Sequence, residues 1–225
     1  MTTPTGFRAE DIAARLAAVR ERIAAAAANP STVAVVAVTK GFGDDAVRAA
    51  LGAGIVDIGE NYADELVAKA ASTASGDLVP RWHFLGSIQR NKIARLAPLV
   101  ACWQGVSRVE EGQAIAKRRP GTRVLVQVDI AGLPGRGGCL PDGVPGLVSA
   151  LRDEDLEVAG LMAVGPPGPP VGSRAGFRAV TALADELDLP VRSMGMTEDL
   201  EVAVAEGSTM VRIGRGLFGD RPPKD

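Results

Sequence analysis

Three stretches of this chain hold residues whose type and position can do chemistry. Lys40 follows an apolar run, Val33 to Val38, with only Thr39 between them, and Gly41 comes straight after it. The run reads as a strand buried on both faces. A lysine at its end has two readings. It caps the strand and reaches solvent, or it is desolvated, so that its pKa falls and its neutral amine can attack an aldehyde. Arg212 lies inside TMVRIG, an otherwise apolar strand, and a buried guanidinium needs acceptors. A structural carboxylate such as Glu60 is one candidate partner; a heteroaromatic nitrogen of a bound cofactor is the other. The third stretch pairs SMGMTED with RIGRG. Thr197 is placed to N-cap a helix, and Gly214 and Gly216 let backbone amides approach an anion closely.

These residues need a scaffold that collects strand ends on one side. After an N-terminal helix over residues 10–28, with Ile12, Leu16, Val19 and Ile23 on one stripe, strand and helix patterns alternate to the end of the chain. The strand segments are 32–38, 55–59, 82–85, 101–106, 123–130, 158–164, 191–194 and 209–213. Alternation of this kind predicts a parallel sheet with helical crossovers. Eight strands predict an α/β fold closed as a (β/α)8 TIM barrel, with one extra helix in front. A doubly wound open sheet competes, but no G-x-G-x-x-G follows the first strand. The GPPGPPVG stretch at 165–172 reads as a surface loop, because one rhythm spans both sides of it, so residues 1–225 are taken as a single domain. In a barrel, chemistry gathers at the C-terminal strand ends. Those ends carry Lys40, Glu60, Asn61, His83, Ser193 and Arg212. A lysine that forms an imine, a phosphate cradle in loops seven and eight, and an arginine facing a ring nitrogen together describe pyridoxal phosphate.

Bulk properties exclude several other classes. Net charge is −2 with both signs interspersed, which gives no footprint for nucleic acid. Apolar runs fall short of a membrane span, and MTTPTGFRAE shows no export signal, so a cytoplasmic protein is expected. Cys102 and Cys139 match no metal or redox spacing, and the chain has one histidine. His83 reads as a hydrogen-bonded core residue. Arg90, Lys92 and Arg95 read as a solvated helix face, Glu60 as a barrel hydrogen bonder, and Met194 and Met196 as packing.

The chain resembles the pyridoxal phosphate homeostasis proteins, relatives of the N-terminal barrel of alanine racemase (fold type III). The resemblance is carried by AVTK at 37–40, GENY at 59–62, WHFLGSIQRNK at 82–92, VLVQVDI at 124–130, GLMAVG at 160–165, SMGMTEDLEVAVAEGSTMVRIG at 193–214 and GLFG at 216–219. It implies that Lys40 forms the internal aldimine with pyridoxal 5'-phosphate. It implies further that Thr197 and the amides of Gly214 and Arg215 hold the phosphate, that Arg212 faces the pyridine nitrogen, and that Asn61 and Ser193 line the cofactor. Departures from the family pattern fall at 41–43, at 131–138, where Arg136 takes the basic position, and in the shortened Pro-rich 165–172 segment.

A racemase of this fold type draws a second acid/base from a tyrosine on a C-terminal β-domain. Here the chain ends soon after its eighth strand, and its one tyrosine is Tyr62. The expectation is therefore a non-catalytic carrier that buffers pyridoxal phosphate and passes it to apo-enzymes. A low-activity amino-acid racemase is the alternative, with Tyr62 or a residue lent by a neighbouring subunit as the hidden base. A class I aldolase is a third reading, and it leaves Arg212 without a role.

Overall fold

The computed structural model describes residues 6–74, 78–133 and 137–221. Eight strands run in chain order: β1 Ala34–Val38, β2 Asp57–Glu60, β3 Arg81–Phe84, β4 Val100–Val106, β5 Arg123–Val128, β6 Glu157–Ala163, β7 Val191–Ser193 and β8 Met210–Ile213. Every neighbouring pair is parallel, and β8 returns to β1 in the register Ala34↔Met210 through Ala37↔Ile213. The sheet is therefore a closed barrel, as the alternating pattern predicts. Each of the eight expected segments overlaps a strand, with ends that differ by up to two residues. The fifth stops two residues early, because the Asp129 carboxylate accepts the amides of Ala131 and Gly132 and turns the chain away from the sheet.

The helices are α1 Ala9–Ala26, α2 Asp44–Gly52, α3 Ala63–Thr73, α4 Arg90–Leu96, α5 Val109–Ala116, α6 Val144–Asp153, α7 Arg174–Glu186, α8 Leu200–Ala205 and α9 Arg215–Phe218. The extra helix α1 buries Ile12, Val19 and Ile23 and packs against α2 and α8. Its Arg22 donates to both oxygens of Glu201 and to the Thr197 carbonyl, so α1 also steadies loop seven.

The apolar side chains between strands and helices form one continuous core, while Cys102, Leu125, Ala159 and Met162 make a separate small cluster. The barrel interior also holds polar groups. Ser193 on β7 donates to Gln104 on β4 at 2.7 Å. These two strands are not neighbours, so the bond must cross the inside of the barrel.

Candidate functional site

A cavity of about 690 Å³ opens at the C-terminal ends of the strands, lined among others by Lys40, Asn61, Thr197, Arg212, Gly214 and Arg215. The chain gathers these residues from loops after β1, β2, β7 and β8 and from β8 itself, which is where a barrel places chemistry. Six of the seven residues expected to hold a cofactor thus share one cavity. The seventh, Ser193, does not line it.

Lys40 is half-buried, and its amine makes no hydrogen bond or ion pair with the described residues. Burial lowers its pKa, Arg221 and Arg212 lower it further, and Glu60 opposes them. The backbone on both sides of Lys40 is tied down. The Thr39 amide donates to Gly59 at 3.0 Å, and the Thr39 carbonyl accepts from Phe42 at 3.1 Å and from the Lys69 ammonium at 2.8 Å. The Gly41 amide donates to Glu65 at 2.8 Å. Gly41 has φ +76°, a conformation that disfavours any residue with a Cβ, so the turn after Lys40 depends on glycine.

Glu60 is fully buried at the end of β2. One carboxylate oxygen accepts the Asn61 amide at 2.8 Å, and the other accepts the Thr39 hydroxyl at 3.2 Å and the Lys69 ammonium at 2.6 Å. Lys69 is only 5% exposed and bonds Glu65 as well, at 3.0 Å. Glu60 is therefore a barrel hydrogen bonder and is not the partner of Arg212.

Arg212 is 5% exposed and meets neutral acceptors. Nη1 donates to the Ser193 carbonyl at 2.6 Å and to its hydroxyl at 2.7 Å, and Nη2 donates to the Ala163 carbonyl at 2.8 Å. Burial pulls its pKa down to about 10, with Asp199 acting the other way. Ser193, expected to line the cofactor, is not among the residues that line the cavity. Ser193 is completely buried behind Arg212, where its hydroxyl relays the guanidinium to Gln104. Gln104 in turn donates to His83 Nδ1 at 2.7 Å, and His83 Nε2 faces Asp57 at 3.0 Å. With Nδ1 accepting, Nε2 is the nitrogen that carries the proton. His83 is the core residue the sequence suggested, and it anchors a polar chain that ends on Arg212.

Thr197 does not cap α8. That helix starts at Leu200 with Asp199 at the N-cap, because the Asp199 carboxylate takes the Met196 amide at 2.6 Å and closes a turn first. The Thr197 hydroxyl instead accepts the Gly216 amide at 3.1 Å, stitching loop seven to loop eight. At Gly216 a Cβ would come within 2.9 Å of Ile213, so the stitch needs glycine there. Gly214 precedes α9, whose first amides have no acceptor within the helix. Arg215 is exposed and pairs with Glu198 at 3.4 Å. Met194 is buried as expected, whereas Met196 is 39% exposed and lines the cavity, contrary to a packing role. The Pro-rich stretch at 165–172 is also part of the cavity wall. Arg136 lies outside the described residues.

A cofactor with a phosphate, an aldehyde and a ring nitrogen fits these groups. The buried Asn61 Oδ1 supports the fit, because it has no hydrogen-bond partner among the described residues although it belongs to a cavity-lining side chain. Lys92 and Arg95 pair with Asp64 on an exposed face, both cysteines are free, and burial pushes the Cys102 thiol up to about 12. No group of metal-binding side chains occurs among the described residues, nor any helix long and apolar enough to cross a membrane.

Sequence reasoning passed over Lys69 and Gln104. Lys69 carried a readable signal. It falls on the buried stripe of α3 between Leu66 and Thr73, at spacings of three and four, where a lone lysine must find carboxylates. Gln104 is the corresponding polar interruption of the apolar β4.

Comparison with known proteins agrees with the fold. Residues 9–222 match the alanine racemase, N-terminal domain family. The chain is 39% identical to the pyridoxal phosphate homeostasis protein of Pseudomonas aeruginosa over 95% of both chains. It is 36% identical to that of Deinococcus radiodurans, covering 92% of this chain and 99% of the relative. Among solved structures, PipY of Synechococcus elongatus with PLP bound superposes with a TM-score of 0.79 at 30% identity, covering 92% of this chain and 100% of PipY. Alanine racemase from Streptomyces coelicolor shares the fold, with a TM-score of 0.74 at 22% identity, and the match covers 59% of that enzyme and 95% of this chain. The barrel, its gathered rim residues and these matches over nearly the whole chain place it in the alanine racemase N-terminal domain family, among the pyridoxal phosphate homeostasis proteins.

Proposed function

We propose that this chain binds pyridoxal 5'-phosphate in the rim cavity and takes part in its homeostasis as a carrier, with Lys40 holding the cofactor through a Schiff base. The observation that carries this reading is the Lys40 amine: it lines the cavity, is depressed in pKa by burial and two arginines, and has no protein partner among the described residues. When bound, the cofactor supplies an aldehyde that condenses reversibly with an amine, releasing water. Thr197 and the amides of Gly214 and Arg215 would hold the phosphate, since the first turn of α9 and the loop-to-loop stitch put donors on one side of the cavity. Arg212 would meet the ring nitrogen, and Asn61 would offer its unpartnered oxygen to a donor on the cofactor.

Arg212 also argues for carriage over turnover. A guanidinium beside a ring nitrogen disfavours its protonation and leaves the ring a weak electron sink. The racemase alternative needs a second acid/base facing Lys40 across the cavity. Tyr62 is 43% exposed and does not line the cavity, which speaks against it as that group. The expected recipients are cytoplasmic apo-enzymes that need the cofactor.

The test uses the loaded protein. Incubated with L-alanine, it is expected to accumulate no appreciable D-isomer or keto acid by chiral chromatography, while restoring activity to a pyridoxal-phosphate-depleted acceptor enzyme. Sustained racemisation that disappears in Lys40→Ala would replace the carrier reading with the racemase one.

A further inference from the structure

The rim carries a second lysine that the reading above does not use. Lys69 rises from α3 into the wall behind Lys40 and touches three groups: the Thr39 carbonyl, Glu60 at 2.6 Å and Glu65 at 3.0 Å. All three bear on Lys40. Thr39 is its preceding residue, Glu65 holds the Gly41 amide that follows it, and Glu60 is a carboxylate whose field reaches the Lys40 amine. We infer that Lys69 is a positioning residue for Lys40: it holds the two carboxylates that would otherwise capture the Lys40 ammonium, and it pins the turn from which Lys40 projects.

The charges make the case specific. Glu60 is wholly enclosed, so its charge is not screened by water and must be met by a cation within reach. Among the described residues, Lys40 and Lys69 are near enough to act on it, and of these only Lys69 bonds it. With Lys69 in place, the Lys40 amine stays clear of ion pairs. Without it, Glu60 and Glu65 lose their bonded ammonium, and Lys40 is the nearby cation that Glu60 already attracts. Protonation of Lys40 would then be favoured, and a protonated amine has no lone pair with which to attack an aldehyde carbon. The other charged groups that act on Lys40 or share its cavity are Arg221, Arg212, Arg215, Glu198, Asp199 and Asp220, and all remain in a Lys69 variant.

This inference rests on Lys40 being the reactive amine, and the test separates the two claims by reading Lys40 without cofactor. Trace labelling of the cofactor-free chain with acetic anhydride across pH, followed by mass measurement of the Lys40 peptide, gives the midpoint at which that amine becomes reactive. In Lys69→Met, judged folded by circular dichroism, the midpoint is expected to rise and labelling near pH 7 to slow about three- to tenfold. Lys69→Met with Glu60→Gln removes the orphaned carboxylate and is expected to bring the midpoint back, although the bond to Thr39 stays lost. A merely structural lysine would leave the double variant as slow as the single one. A folded Lys69→Met with the wild-type midpoint overturns the inference. So does a double variant that stays displaced, and that variant alone decides if the single one does not fold. A wild-type chain that takes up no pyridoxal phosphate would instead count against the proposed function, leaving the Lys69 effect on labelling to stand or fall separately.

Discussion

Two cations are buried in the rim of this barrel to the same 5% exposure, and their surroundings differ. Lys69 sits between two carboxylates and a carbonyl, each within 3.0 Å. Arg212 sits among two carbonyls and a hydroxyl, with no carboxylate close enough to pair among the described residues. The charge of Lys69 is consumed inside the protein. That of Arg212 is only solvated by dipoles, and burial draws its pKa down to about 10. A cation held by neutral acceptors still presents positive potential to whatever enters the cavity. The β1–β2–α3 side of the rim therefore contains an internal brace, while the β6–β7–β8 side leaves a positive group lining the cavity.

The largest expected effect of this difference is on stability. Lys69→Met leaves a wholly enclosed carboxylate without its cation and is expected to lower unfolding free energy by about 3–5 kcal/mol. Arg212→Met removes three hydrogen bonds to neutral acceptors but also a desolvated charge, so its loss is expected to be about 1–3 kcal/mol. Urea unfolding of both variants checks the order. A more damaging Arg212→Met would place the structural cation on the wrong side of the rim.

Next in size is ligand retention. If the β7–β8 side recognises a phosphate, Thr197→Ala should weaken pyridoxal phosphate binding by about 1.5–3 kcal/mol, the worth of one hydrogen bond to a charged group. Titration followed by absorbance measures it, and equal affinity would remove Thr197 from the cradle. Arg212→Glu should change the pH dependence of the bound cofactor's spectrum by allowing the ring nitrogen to protonate. A spectrum unchanged across pH would mean that the guanidinium does not face the ring.

A smaller effect lies at the far end of the polar chain behind Arg212. Burial raises the Asp57 pKa, but hydrogen bonds from His83 and Arg81 outweigh it and bring the group down from 3.8 to about 2. A depressed carboxylate contributes stability that is fully present above its unfolded value and lost as pH falls through its folded one. The contribution of Asp57 is thus complete above about pH 4 and disappears toward pH 2. Unfolding free energies of wild type and Asp57→Asn should converge across that window. A constant gap would assign the acid sensitivity to other groups.

The two sides of the rim also differ in how much of them the sequence disclosed. Lys40 was legible because an apolar run ended on it, and Arg212 because apolar residues flank it on β8. The eight-strand barrel followed from the alternating pattern, the count of strands and the missing G-x-G-x-x-G that an open dinucleotide sheet would carry. What stayed hidden depends on contacts between distant segments. Thr197 and Asp199 are both suitable N-caps, and only the Asp199 bond to Met196 and the Gly216 bond to Thr197 decide between them. Ser193 looked like a cofactor residue because strand position cannot tell a side chain that faces the cavity from one placed behind another side chain. Met196 reads as apolar filler until loop seven is seen to carry it to the cavity wall. The Glu60–Lys69 pair joins β2 to α3 over nine residues, and the only local sign of it was a lysine on an apolar stripe.

The central claim is that Lys40 is the residue that holds pyridoxal 5'-phosphate. Borohydride reduction of the protein mixed with the cofactor, followed by digestion and peptide mass measurement, tests it directly. The account predicts one phosphopyridoxyl group, on the peptide containing Lys40, and none in Lys40→Ala. A label on Lys69, Lys92 or another lysine, or no label despite excess cofactor, would contradict it.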